Sequence, residues 1–98
     1  MEIIKTSDAS KLTLALTGRL DTTTAPSLEA ELAASLDGVT ELVFDFEKLE
    51  YISSAGLRVL LAAQKIMNRQ GDMVIRNANA DIKEVFDITG FADILTIE

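Results

Sequence analysis

The sequence predicts a small α/β domain: one mixed, mostly parallel sheet with its helices mainly on one face. Three observations carry this. Short apolar runs at Leu12–Leu16, Leu42–Phe46 and Met73–Arg76 have the two-residue period of strands. Stretches with the three-to-four-residue period of amphipathic helices lie between and after them. The second side of two of these strands carries Asp45 and Arg76, which argues against helices covering both faces. With 98 residues, 48% of them hydrophobic and a single proline, the chain can fill one apolar layer and no second core, so residues 1–98 are read as one domain.

Each element follows in order. Ile3 and Ile4 predict a short first strand, turned back around Ser7-Asp8-Ala9-Ser10 so that the first two strands are antiparallel. Leu12, Leu14 and Leu16 alternate with Thr13, Ala15 and Thr17 in the second strand, which Gly18 is expected to end. Thr24-Ala25-Pro26-Ser27-Leu28-Glu29 reads as a helix start, with small polar cap residues, proline in the first turn and an acid near the positive end of the dipole. Leu28, Leu32 and Leu36 continue that helix, and Asp37-Gly38 stops it. The third strand places Leu42, Phe44 and Phe46 on one face, Val43 and Asp45 on the other. A second helix is expected from about Ser54 to Arg69, closed by Gly71. Its core side comprises Gly56, Val59, Leu60, Ala63, Ile66 and Met67, opposite Arg58, Lys65 and Arg69. Met73–Arg76 forms the fourth strand. A third helix over Asp81–Thr89 uses Ile82, Val85, Phe86 and Thr89, with Gly90 as a left-handed cap and Phe91 as its apolar closer. Ile94–Ile97 fits either a last short strand or a terminal turn. Crossover connections make the second, third and fourth strands parallel.

Composition removes several functions. Sixteen acids against nine Lys and Arg give a net charge of −7, so nucleic acid and anionic membrane are poor partners. The chain has neither cysteine nor histidine. That excludes disulfides, thiolate zinc sites, Cys nucleophiles, His-based triads and imidazole ligands. No metal, no cofactor and no enzymatic activity are expected. The start, MEIIKTSD, lacks the basic and apolar regions of a signal peptide, and no apolar run approaches the roughly 20 residues of a membrane span. A cytoplasmic protein is expected.

In a parallel unit, strand C-termini and helix N-termini meet at one edge, where ligands and partners gather. Here that edge carries Gly18-Arg19-Leu20-Asp21, Glu47 to Ser53, the helix opening Ser53-Ser54-Ala55-Gly56, and Asn77 to Asn79. Ser53 and Ser54 fit a helix N-cap, or a hydroxyl that accepts a phosphoryl group beside unpaired N–H groups. Gly56 in the first turn allows close approach of another backbone, or simply packs the helix on the sheet. Leu57 and Leu61 lie between the apolar and basic stripes, as core margin or as a docking patch beside Ser54. Asp21 shapes a turn or contacts a partner.

The run Leu49-Glu50-Tyr51-Ile52-Ser53-Ser54-Ala55-Gly56-Leu57-Arg58-Val59-Leu60-Leu61 resembles the central signature of the anti-sigma factor antagonists of the STAS domain family. Gly18-Arg19-Leu20-Asp21 resembles that family's Gly-x-Leu-Asp element, and Ile82 to Phe91 its last helix and closure. The resemblance covers essentially the whole chain in order. It implies partner switching. The unphosphorylated protein would bind an anti-sigma factor serine kinase and free a sigma factor, the kinase would phosphorylate Ser54, and a PP2C-type phosphatase would reverse this. By the resemblance Asp21, Ser53 and Ser54 would meet the partner, and the helix-face reading adds Gly56, Leu57 and Leu61. Ser53 stands where many members have Asp, and Ala55 where many have a second hydroxyl, which leaves Ser53 as an alternative acceptor. A second implied role is that of an accessory subunit in a transport complex, such as a lipid transporter, without a phosphorylation cycle.

Overall fold

The computed structural model describes all 98 residues. Its strands are β1 (Glu2–Asp8), β2 (Lys11–Leu20), β3 (Glu41–Ile52) and β4 (Asp72–Arg76); its helices are α1 (Ala25–Ser35), α2 (Ser54–Met67) and α3 (Ala80–Thr89). The sheet order is β1-β2-β3-β4, antiparallel at the first pairing and parallel at the other two. The expected fold class is therefore the one observed. β1 runs longer than its two isoleucines suggest, because all of Glu2–Asp8 pairs with β2.

Register explains the two faces. Leu12, Leu42 and Met73 align across the three parallel strands, as do Leu14, Phe44 and Ile75, and all six are buried under the helices. The opposite face aligns Thr13, Val43 and Val74, then Ala15, Asp45 and Arg76. Val43 is buried there despite the absence of a helix, since it lies on the central strand between two neighbours. Twenty-five buried side chains from the sheet and all three helices form one apolar cluster.

Gly18 does not end β2, and β3 does not end at Phe46. Lys48 pairs with Thr17, Leu49 with Gly18, Tyr51 with Arg19 and Ile52 with Leu20. Between Ala15 and Thr17, and again between Gly18 and Arg19, β3 contributes one residue more than β2, the arrangement of a β-bulge. Each extra residue lengthens the local period. The buried positions of β3 accordingly change from every second residue, Leu42, Phe44 and Phe46, to every third, Phe46, Leu49 and Ile52. The left-handed φ of +83° at Gly18 accommodates the bend.

The remaining elements keep to their sequence signals with small changes. Gly90 has the left-handed φ of +80° expected of the α3 cap. α2 ends at Met67, before a turn that reaches Gly71. Ile94–Ile97 forms neither a strand nor a free turn: after a short 3-10 turn at Phe91–Asp93, Ile97 makes a single parallel bridge to Ile75.

Candidate functional site

The bulged extension of β2 and β3 delivers its C-terminal ends to the start of α1 and α2. The Ser53 N–H donates to the Leu20 carbonyl at 2.9 Å, so Asp21 and Ser54 each follow directly on a bonded pair of neighbours. One rim thus holds both residues, as the edge rule requires.

Asp21 builds the start of α1. Its Oδ1 accepts from the Thr23 N–H at 3.0 Å, the Thr23 hydroxyl at 2.7 Å and the Thr24 N–H at 3.2 Å, while its carbonyl accepts from Ala25 at 2.8 Å. Its other oxygen lies 3.6 Å from Arg19 Nε. The turn-shaping reading of Asp21 is thus realised in full. These hydrogen bonds, led by the Thr23 hydroxyl, hold its carboxyl below the usual carboxylate range. A folded-state pKa below the unfolded value stabilises the fold above the unfolded pKa, and the contribution is lost as pH falls through the folded one. Asp21→Asn is therefore expected to cost stability at neutral pH, with the gap to wild type closing as the pH falls below the ordinary aspartate range and through the lowered pKa of the folded state. Denaturant melts at several pH values read this directly.

The two serines part company. Ser53 occupies the N-cap position in extended conformation, with φ −103° and ψ 177°, yet its side chain makes no capping bond. Its Oγ is buried without a hydrogen-bond partner. The expected N-cap bond is therefore absent. The N–H groups of the first turn of α2 stay without a side-chain acceptor and face the rim. Ser54 is the first residue of the helix and is exposed. α3 begins differently: Asn79 Oδ1 accepts from the Ile82 N–H at 2.8 Å, and its Nδ2 donates to the Leu49 carbonyl at 3.2 Å, which fastens α3 to the same rim.

Chains similar to this one place these features in a family. The family model described as the STAS domain matches residues 1–98. The chain belongs to the STAS domain family. BtrV of Bordetella bronchiseptica, assigned as an anti-sigma factor antagonist, is 44% identical over 84 residues, covering 84% of this STAS chain and 72% of its own length. The anti-sigma-B factor antagonist of Listeria monocytogenes is 30% identical over 98 residues, covering 97% and 85%. Among solved structures, the Bacillus cell fate determinant SpoIIAA in its phosphorylated form superposes with a TM-score of 0.78 at 18% identity, covering 99% of this chain and 91% of that one; it shares the fold.

Two expected contact residues of the STAS domain are corrected by its packing. Gly56 is buried, and a Cβ there would sit 2.7 Å from Leu20 Cγ and 2.9 Å from Ile52 Cγ1. Its role is to let α2 lie close on the sheet. Leu57 is also buried and belongs to the apolar cluster, so it is core and not part of an exposed patch. Leu61 is half-buried at the margin. The core side of α2 is turned from the expected one: Leu57 and Gln64 face inward, while Ile66 is exposed. α2 packs on the sheet and on α1 at once, and Ile66 rides out over the groove it lines with Leu32 and Ala33 of α1.

Sequence reading missed one rim feature. The Arg19 guanidinium lies 4.1 Å from the ring centroid of Tyr51, a cation–π pair between aligned residues of β2 and β3. No spacing in the sequence reveals it, because the pairing exists only after two bulges have shifted the register.

Proposed function

We propose that this STAS domain is a phosphorylation-controlled anti-sigma factor antagonist. Unphosphorylated, it binds an anti-sigma factor serine kinase in the cytoplasm and frees a sigma factor. Phosphorylation of Ser54 ends that binding, and a PP2C-type phosphatase restores it. The observation that carries the choice of residue is the contrast between the exposed Ser54 and the enclosed Ser53 hydroxyl. The relatives named as anti-sigma factor antagonists support the role.

The chemistry asks little of this chain. Ser54 Oγ attacks the γ-phosphorus of ATP held by the kinase, ADP departs, and a kinase base takes the hydroxyl proton. The product sits at a helix N-terminus whose free N–H groups and dipole stabilise a dianion. Water attacks the phosphoester in the reverse step and inorganic phosphate leaves. The contact surface in this reading comprises Asp21 and the Arg19–Tyr51 pair on the same rim, with Leu61 about two turns along α2. Gly56 and Leu57 hold the helix beneath it.

Incubation with a cognate anti-sigma factor serine kinase and ATP is expected to add the mass of one phosphate to the peptide containing Ser53 and Ser54, and Ser54→Ala is expected to abolish it. A phosphate retained in Ser54→Ala assigns the acceptor elsewhere. An unmodified wild-type chain that copurifies with transport subunits supports the transport-subunit role in its place.

A further inference from the structure

Ser54 and Arg58 lie four residues apart on α2, one turn along the same face, where Cβ atoms stand about 5–6 Å from each other. Helical side chains lean toward the N-terminus, which brings Arg58 within reach of a group added to Ser54. Arg58 also borders the cleft between α1 and α2 together with Glu29, with which it forms no ion pair. Ser54 and Arg58 are both exposed, and Arg58 takes no part in the three ion pairs of the structure. The other cation of the rim, Arg19, is already engaged by Asp21 and by the ring of Tyr51. We infer that Arg58 is the intramolecular partner of the phosphoryl group on Ser54, an inference that rests on the reading of Ser54 as the acceptor.

The charge distribution gives the pairing a consequence. Residues 54–71 contain Arg58, Lys65 and Arg69 and no acid; removing these three cations from the net −7 leaves −10 on the remainder. The outer side of α2 is thus a basic stripe on an acidic domain, suited to an acidic partner surface. Phosphorylation adds up to two negative charges at the head of the stripe and occupies its leading guanidinium as well. One modification both introduces a repulsive group and withdraws an attractive one.

The test uses the full chain with phosphoserine installed at position 54 during translation, titrated by phosphorus-31 NMR. The second phosphate pKa, ordinarily about 6, is expected to lie about half a unit lower in wild type than in Arg58→Gln. Arg58→Lys is expected to restore part of the shift and Arg19→Gln to leave it in place. The helix dipole acts equally in all four proteins, so the difference isolates the arginine. Equal pKa values in wild type and Arg58→Gln, with matching circular dichroism, overturn the inference, as does a shift lost only in Arg19→Gln. Because no kinase enters the experiment, its result is independent of the switch: an unmodified chain after kinase treatment refutes the switch alone, and an unmoved pKa refutes the pairing alone.

Discussion

Ser54→Asp is expected to weaken binding to the anti-sigma factor kinase about a hundredfold while leaving the thermal midpoint unchanged or slightly raised. The side chain is exposed at the first position of α2, so the fold has no contact to lose. A carboxylate there gains about 0.3–1 kcal/mol from the dipole. At a docked interface the same charge must be stripped of water, which costs about 3 kcal/mol when nothing pairs with it, and each 1.4 kcal/mol is a factor of ten. A phosphate dianion keeps a net negative charge even beside Arg58 and withdraws that cation from the partner, so its cost is expected to be larger, about 4 kcal/mol, or roughly a thousandfold. The interface effect exceeds the helix effect severalfold, so a negative charge at position 54 is expected to act on binding and not on folding. Calorimetric titration against the kinase and a thermal melt measure the two separately. A large fall in the midpoint with intact affinity would reverse the account.

Gly71→Ala is expected to do the opposite. A Cβ at Gly71 collides with the carbonyl oxygen of Thr40 and lies 2.6 Å from its carbonyl carbon. The obstacle is backbone, and it is held in place: the Thr40 carbonyl accepts from Asp72 at 2.9 Å, and the Thr40 N–H donates to Ser10 at 2.9 Å. Gln70 next door donates to the carbonyls of Leu36 and Val39 at 2.7 and 2.6 Å, closing the end of α1. No rotamer change relieves the overlap, so strands and helix end must shift together. A loss of about 3 kcal/mol follows, or roughly 12–24 °C in a domain of this size. Gly71 precedes β4 at the edge opposite Ser54. The fraction of molecules still folded is therefore expected to bind with wild-type affinity below the lowered midpoint. A midpoint within about 2 °C of wild type shows that the turn yields more easily than its hydrogen bonds imply.

The sequence reading succeeded where a signal is local. The Leu12–Leu16 and Leu42–Phe46 alternations report one buried face each, and that face is buried under the helices. The Gly90 cap is read from its own backbone requirement. It failed where two elements had to be in place before a residue acquired its surroundings. Leu57 and Ile66 exchange places between core and surface because α2 leans on both α1 and the sheet, which no single-helix projection contains. The strands extend past Gly18 and Phe46 because bulges absorb residues that break the two-residue period, and the period was the only signal available.

The sequence by itself determined that this chain is an α/β domain without thiol or imidazole chemistry, and that Asp21 and Ser54 share one edge, since strand ends and helix starts coincide in any parallel unit. Only the tertiary structure decided which of two adjacent hydroxyls faces outward. The path of the chain into α2 encloses Ser53 Oγ and leaves Ser54 in solvent, a difference of one residue that depends on how closely Gly56 lets the helix approach Leu20 and Ile52. Accessibility is a property of packed neighbours, and it is accessibility that separates a modifiable serine from one sealed within the fold.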